Sequence, residues 1–221
     1  QAVGTLILVM PEPFEPSFAE LPRVIPIFPL RGALLLPGGM LPLNVFEPRY
    51  LNMTQAALSS GNRTIGMIQP DGNDMGESPS VYETGCAGRI VSFAETDDGR
   101  ILITLSGMCR FALVEELPLK DGYRRAVAEY GQFRADMSPS AHTNIDRTRL
   151  LEVLKAYLKH EQIEANWKAI EDSDDARLVA SLAMMCPFQA SEKQALLEVP
   201  DLAERARVVV ALLEMALVAP G

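Results

Sequence analysis

Apolar and polar residues change rhythm once along this chain. From about residue 24 to residue 133 they alternate in short runs broken by glycine and proline, the period of half-buried strands. Beyond about residue 146 they recur at the spacing of amphipathic helices. The first run is Val24-Ile25-Pro26-Ile27-Phe28, which Pro26 confines to a sheet edge or a bulge. Ala33-Leu34-Leu35-Leu36 reads as a second, closed by Pro37-Gly38-Gly39. Residues 47–60 predict a helix. Pro48 suits its first turn, Tyr50, Leu51, Thr54, Ala57 and Leu58 share a face, and Gly61 is the expected left-handed stop. Residues 64–69 form a short apolar run and residues 70–79 a polar loop. Residues 89–95 and 100–106 flank Thr96-Asp97-Asp98-Gly99, a hairpin in which Asp98-Gly99 supplies the positive φ angles. Ile101, Ile103 and Leu105 mark its buried face. Residues 111–114 and 126–130 add two more strands. Six or seven strands closed into a barrel, with one inserted helix, would leave few exposed edges.

The later half predicts four helices. Leu150, Leu151, Leu154, Tyr157 and Leu158 define one, and residues 174–185 a second that ends before Pro187. Ser191 and Gln194 form a capping box for a third, stopped by Pro200. Asp201 caps a fourth, with Leu202, Val209, Leu212, Leu213 and Leu217 facing inward. The expected architecture is α+β. It comprises an extended arm over residues 1–22, a barrel over 23–133, a linker over 134–145 and a helical bundle over 146–221.

Composition narrows the function classes. The 221 residues carry 29 acidic and 20 basic side chains, a formal charge of −9 that would repel a phosphate backbone. No apolar stretch approaches the ~20 residues of a membrane span. The run from Leu6 to Met10 is too short for a signal-peptide core and has no basic residue before it. Three widely spaced cysteines, Cys86, Cys109 and Cys186, fit free thiols in a reducing cytoplasm.

Ile27-Phe28-Pro29-Leu30, then Leu36-Pro37-Gly38, then Leu41-Pro42-Leu43-Asn44-Val45-Phe46-Glu47-Pro48-Arg49-Tyr50 resembles the opening signature of the Lon protease amino-terminal domain. The similarity continues in looser form through Gly85-Cys86-Ala87-Gly88-Arg89-Ile90, Asp98-Gly99-Arg100 and Gly107-Met108-Cys109-Arg110-Phe111. It reaches Glu192-Lys193-Gln194-Ala195-Leu196-Leu197-Glu198 and Arg205, so it covers nearly the whole chain after Pro22. The resemblance implies a PUA-like, six-stranded pseudo-barrel with one inserted helix, followed by a C-terminal helical bundle. It also implies contact with substrate proteins, since in Lon proteases separate downstream domains hydrolyse ATP and peptide bonds. The expectation is a stand-alone copy without those domains.

A search for chemistry supports that expectation. No Walker A loop or G-x-S-x-G elbow occurs in the sequence. His142 and His160 are the only histidines, and both lie far in sequence from Cys86 and Cys109. No cysteine pair has zinc spacing. The segment Asp71-Gly72-Asn73-Asp74-Met75-Gly76 fails as a calcium loop, because Met75 replaces an oxygen ligand and Tyr82 stands where the bidentate Glu belongs. No catalytic residue, cofactor or metal is therefore expected. Phe28, Pro29, Phe46 and Tyr50 are candidate peptide contacts. The competing reading places such residues, which flank a first helix, in the core. Glu47, Arg49 and Arg110 are charges among apolar neighbours and form a candidate structural ion pair, with Arg110 the expected partner of Glu47.

The leading expectation is a non-catalytic module that binds unfolded or exposed apolar protein segments and acts as an adaptor, a holdase or a competitor of a protease. Its groove would lie between barrel and bundle or on the barrel's open edge. An RNA-binding barrel is the alternative, with Lys120-Asp121-Gly122-Tyr123-Arg124-Arg125 as its basic cluster. An enzyme with an unrecognised site is the third.

Overall fold

One strand of 20 residues organises the first half of the molecule. The computed structural model describes residues 16–72, 78–138 and 144–218. In it the strands are β1 (Val24–Pro29), β2 (Met40–Val45), β3 (Thr64–Ile68), β4 (Thr84–Glu95), β5 (Ile101–Lys120) and β6 (Tyr123–Glu129). The first half of β5 pairs with β2 and β4, and its second half pairs with β6. From β6 the ladder passes through β1 and β3 back to β4, so the ring β5-β4-β3-β1-β6 closes on itself. Strand β5 bends to serve both ends through register shifts at Ala87/Gly88, Ile90/Ser92 and Leu113/Glu115. Strand β2 hangs outside the ring, and among the described residues its far edge has no partner.

The helices are α1 (Pro48–Ser59), α2 (Arg147–His160), α3 (Trp167–Asp172), α4 (Asp175–Met185), α5 (Ala190–Glu198) and α6 (Leu202–Val218). Asp146, Asp174 and Asp201 each accept the amide three residues on, at 3.0, 2.8 and 2.8 Å, which starts α2, α4 and α6 as an N-cap should.

Several local expectations are corrected. The leucine run over residues 33–36 is a buried loop, not a strand. It wedges against Gly88 and Gly107 of the β4–β5 ladder, where a Cβ on Gly107 would overlap the Leu36 carbonyl. A short apolar run cannot by itself tell a strand from a buried plug. The strand at this point is β2, which the sequence marks only as part of the signature; its Pro42 is tolerated at an edge position. Residues 111–114 continue β5 and are not a separate strand. Helix α1 ends at Ser60 in an extended conformation, Gly61 does not adopt positive φ, and Arg63 does, at 50°. The capping box of α5 is Gln189 with Glu192, two residues earlier than expected. Helix α3 was not anticipated. The run from Leu6 to Met10, most of the calcium-like loop, His142 and residues 139–143 of the linker lie outside the described residues.

Barrel and bundle share one core. Phe28, Leu34, Leu36, Ile65, Ile103 and Leu105 from the first half pack in the same cluster as Leu150, Tyr157, Val179, Leu196 and Leu213 from the second. A second cluster, with Ile25, Ile27, Ile68, Phe111 and Tyr130, fills the ring.

Candidate functional site

Charge at the joint between barrel and bundle is fully employed. Arg110 leaves β5 on the side away from the ring and is buried beneath the bundle. Its guanidinium holds Asp136 at 2.8 and 2.9 Å and donates to the carbonyls of Leu197, Val199 and Pro200 at 3.1, 2.7 and 3.3 Å. Those carbonyls end α5, where a helix leaves acceptors unsatisfied and favours positive charge. Burial opposes the charge, but Asp136 outweighs it and holds the guanidinium above its ordinary value. Arg205 on α6 donates to Leu196 at 2.9 Å, and burial with the nearby Arg110 lowers it to about 10. Beside them Gln69 donates to Ala190 at 3.1 Å and to Gln194 at 3.2 Å, while Lys193 donates to Gly32 at 3.0 Å. The space between barrel and bundle is therefore packed and hydrogen-bonded at these residues.

The predicted site residues separate into two groups. Phe28 and Tyr50 are core: both are buried, their ring centroids are 4.1 Å apart, and the Arg49 guanidinium lies 4.7 Å from the Tyr50 centroid. Pro29 ends β1 half-buried, opposite Ile68. The Glu47–Arg110 pair does not form. Glu47 sits at the start of α1 on the rim and binds Arg49 at 2.9–3.0 Å, whereas Arg110 faces the bundle and Asp136. A buried partner for Arg110 was expected on electrostatic grounds; Asp136 went unnoticed because it belongs to an irregular 3-10 segment, Gly131–Met137, inside the stretch read as linker. Phe46 is the exception among the aromatics, 61% exposed.

Phe46 marks one end of a mixed sheet face from which apolar side chains project. Residues paired directly across an antiparallel ladder point to the same side. Asn44, Leu102 and Ala94 form one such row; Pro42, Thr104 and Ser92 form the next; Met40 and Ser106 begin a third. On this outer face Leu102 is 45% and Met40 38% exposed. The Arg100 guanidinium lies 5.8 Å from the Phe46 ring centroid at one end. At the other end Met184 packs against Gly39, and the adjacent Met185 is exposed. The inner face of the same strands, with Val45, Ile101, Ile103 and Leu105, is core. The result is an unpaired strand edge bordered by apolar, partly flexible side chains. Sequence reasoning missed Met40 and Leu102, although the alternation that buries Ile101 and Ile103 also turns Leu102 outward, and it reads Met184-Met185 as core, whereas Met185 is exposed.

A family model described as the ATP-dependent protease La (LON) substrate-binding domain matches residues 24–215. The chain belongs to that family. The Lon protease of Cytophaga hutchinsonii is 26% identical over 97% of this chain and 27% of its own length. That of Flavobacterium johnsoniae is 26% identical over 87% of this chain and 24% of its own. The chain thus spans about a quarter of the length of the curated relatives it matches. Two solved structures share the LON-domain fold. A Lon N-terminal domain protein from Xanthomonas campestris superposes with a TM-score of 0.58, at 22% identity, covering 85% of this chain and 97% of that one. The N-terminal domain of the Mycobacterium avium complex Lon protease gives 0.60, at 16% identity, covering 86% and 98%. Among the described residues, no helix is long and apolar enough to cross a membrane, and no group of three or more His, Cys, Asp or Glu is placed to hold a metal ion.

Proposed function

We propose that this LON-family chain is a non-catalytic module that receives extended apolar segments of other polypeptides along the free edge of β2. The observation that carries the reading is an open strand edge bordered by the exposed apolar side chains of Met40, Phe46 and Leu102. A segment added to such an edge gains main-chain hydrogen bonds whatever its sequence, and alternate side chains meet the apolar border. Broad recognition with a preference for apolar residues follows from that division of labour. The methionines at one end suit varied contacts, because an unbranched thioether repacks easily. Membership of a family defined by substrate binding supports the same reading, as does the packing of the barrel–bundle joint.

The RNA alternative draws less support, because two of the three cations in its cluster have partners within the fold. Arg124 is engaged by Glu116 and the Pro79 carbonyl, and Arg125 donates to the Pro118 carbonyl at 3.1 Å. The enzymatic alternative finds little support in two hollows of about 320 Å3: in one the Ser59 hydroxyl near Asp121 donates to the Gln55 carbonyl at 2.8 Å, and in the other the Tyr130 hydroxyl near Glu129 donates to the Pro22 carbonyl at 2.9 Å.

Fluorescence anisotropy with a labelled, extended apolar peptide tests the proposal. F46E and L102E should each weaken binding at least about tenfold, since a charge carried into an apolar contact costs more than 1.4 kcal/mol. Undiminished binding in both variants would remove β2 from the account.

A further inference from the structure

Helix α6 carries more apolar surface than the described residues cover. From Val208 to Val218 only Glu214 is polar, and a helix that is apolar all round belongs in an interior. One stripe of α6, with Ala206, Val209 and Leu213, is buried where the helix packs on α2 and α4. The opposite stripe is not. Ala211 is exposed, Met215 is 61% and Val218 81% exposed, and Val208 is half-buried. Positions 204, 208, 211, 215 and 218 follow the alternating four-three spacing of a two-helix seam.

We propose that this stripe is the contact surface for a second copy of the chain, whose α6 lies antiparallel across it about a two-fold axis at Ala211. Three features point to a self-complementary seam. Ala211, the smallest side chain of the stripe, falls midway between positions 204 and 218, so the helices approach most closely where least bulk stands between them. Val208 of one copy then lies beside Met215 of the other, apolar on apolar. The third feature is charge. Arg207 and Glu214 lie on the same flank of the stripe, four residues before Ala211 and three after it. At ~1.5 Å rise per residue, an antiparallel partner brings its Glu214 level with Arg207 to within about 1.5 Å, and the two-fold repeats the pair. A parallel partner, related by a two-fold along the helix axes, would carry the two Arg207 to opposite flanks of the seam, where Arg207 faces Leu212 of the other copy and meets no opposite charge. The charges therefore select the antiparallel arrangement. Neither side chain is sealed inside the fold: Arg207 is 73% and Glu214 42% exposed, beside Glu204 and Arg149 respectively.

Sedimentation velocity on the full chain over a concentration series tests this. The wild-type chain should show a monomer–dimer equilibrium that M215K abolishes. R207E and E214R should each weaken association at least about tenfold, because two attractions become two repulsions per dimer. An equimolar mixture of R207E and E214R should recover association, since each copy then supplies the charge the other lacks. Mild oxidation should cross-link A211C chains through the two-fold and leave A156C chains on α2 monomeric. This second readout stands even if E214R folds poorly on losing Arg149. A wild-type chain that stays monomeric with no A211C cross-link overturns the proposal. So does a dimer indifferent to M215K and R207E.

Discussion

Asp136 should matter to stability far more than its place in an irregular segment suggests. Six hydrogen bonds converge on Arg110, and three of them end on Asp136, including one from the Arg110 amide at 3.0 Å. The two side chains are 6% and 9% exposed, so water cannot replace a lost partner. D136N keeps the volume and one acceptor but removes the charge, leaving a buried guanidinium held only by carbonyl dipoles. Breaking such a pair from one side costs ~3–5 kcal/mol. In a chain of this size each kcal/mol moves Tm by ~2–4 °C, so a fall of about 10 °C is expected. R110M should cost at least as much, because it orphans the carboxylate and also uncaps α5. The double variant R110M/D136N should lose clearly less than the sum, with a coupling of about 2 kcal/mol or more. Urea unfolding followed by far-UV circular dichroism provides all four corners of the cycle. Single variants that each cost under about 1 kcal/mol, or a strictly additive double, would refute the clamp.

Other consequences concern the core. The Thr54 hydroxyl is fully buried and has no hydrogen-bond partner among the described residues, so T54V should raise stability by about 1 kcal/mol; a loss of that size would mean an unseen partner. G107A should cost about 3 kcal/mol or prevent folding, since the added methyl meets the Leu36 backbone, and urea midpoints would show it. All three thiols are buried, so Ellman's reagent at pH 8 should titrate them only after denaturation. Burial, with Asp136 adding to it, pushes the Cys109 thiol up to about 12 from 9.0. Between those values the unfolded chain has released that proton and the folded chain has not, so this contribution to stability is lost as pH rises from about 9. C109A should flatten the alkaline fall in unfolding free energy, and an unchanged slope would contradict it.

Much of this architecture is written in local pattern. The alternation of Ile101, Ile103 and Leu105 marks a strand with one buried face, and Asp98-Gly99 places the turn before it, because both signals depend only on neighbouring residues. Likewise Asp174 and Asp201 announce their helices through a hydrogen bond that closes within one turn. What escaped the sequence depends on distant partners. Leu34, Leu35 and Leu36 become a plug only because Gly88 and Gly107, far along the chain, leave room for them. Arg110 reads as a charge in need of a partner, but whether Glu47 or Asp136 provides it is decided by the side of β5 on which the residue emerges and by what the bundle brings there. The candidate site was half legible for the same reason. Phe46 belongs to the signature, whereas Leu102 and Met40 join it only when β2 pairs with β5 outside the ring.

Hydrogen–deuterium exchange of the native chain, with and without a permanently unfolded, carboxymethylated protein as probe, tests the β2 edge most directly. The account predicts slowed exchange at Met40–Val45, with α1 and the α5 end unchanged. Protection that falls elsewhere, or none at a concentration where the probe demonstrably binds, would contradict it.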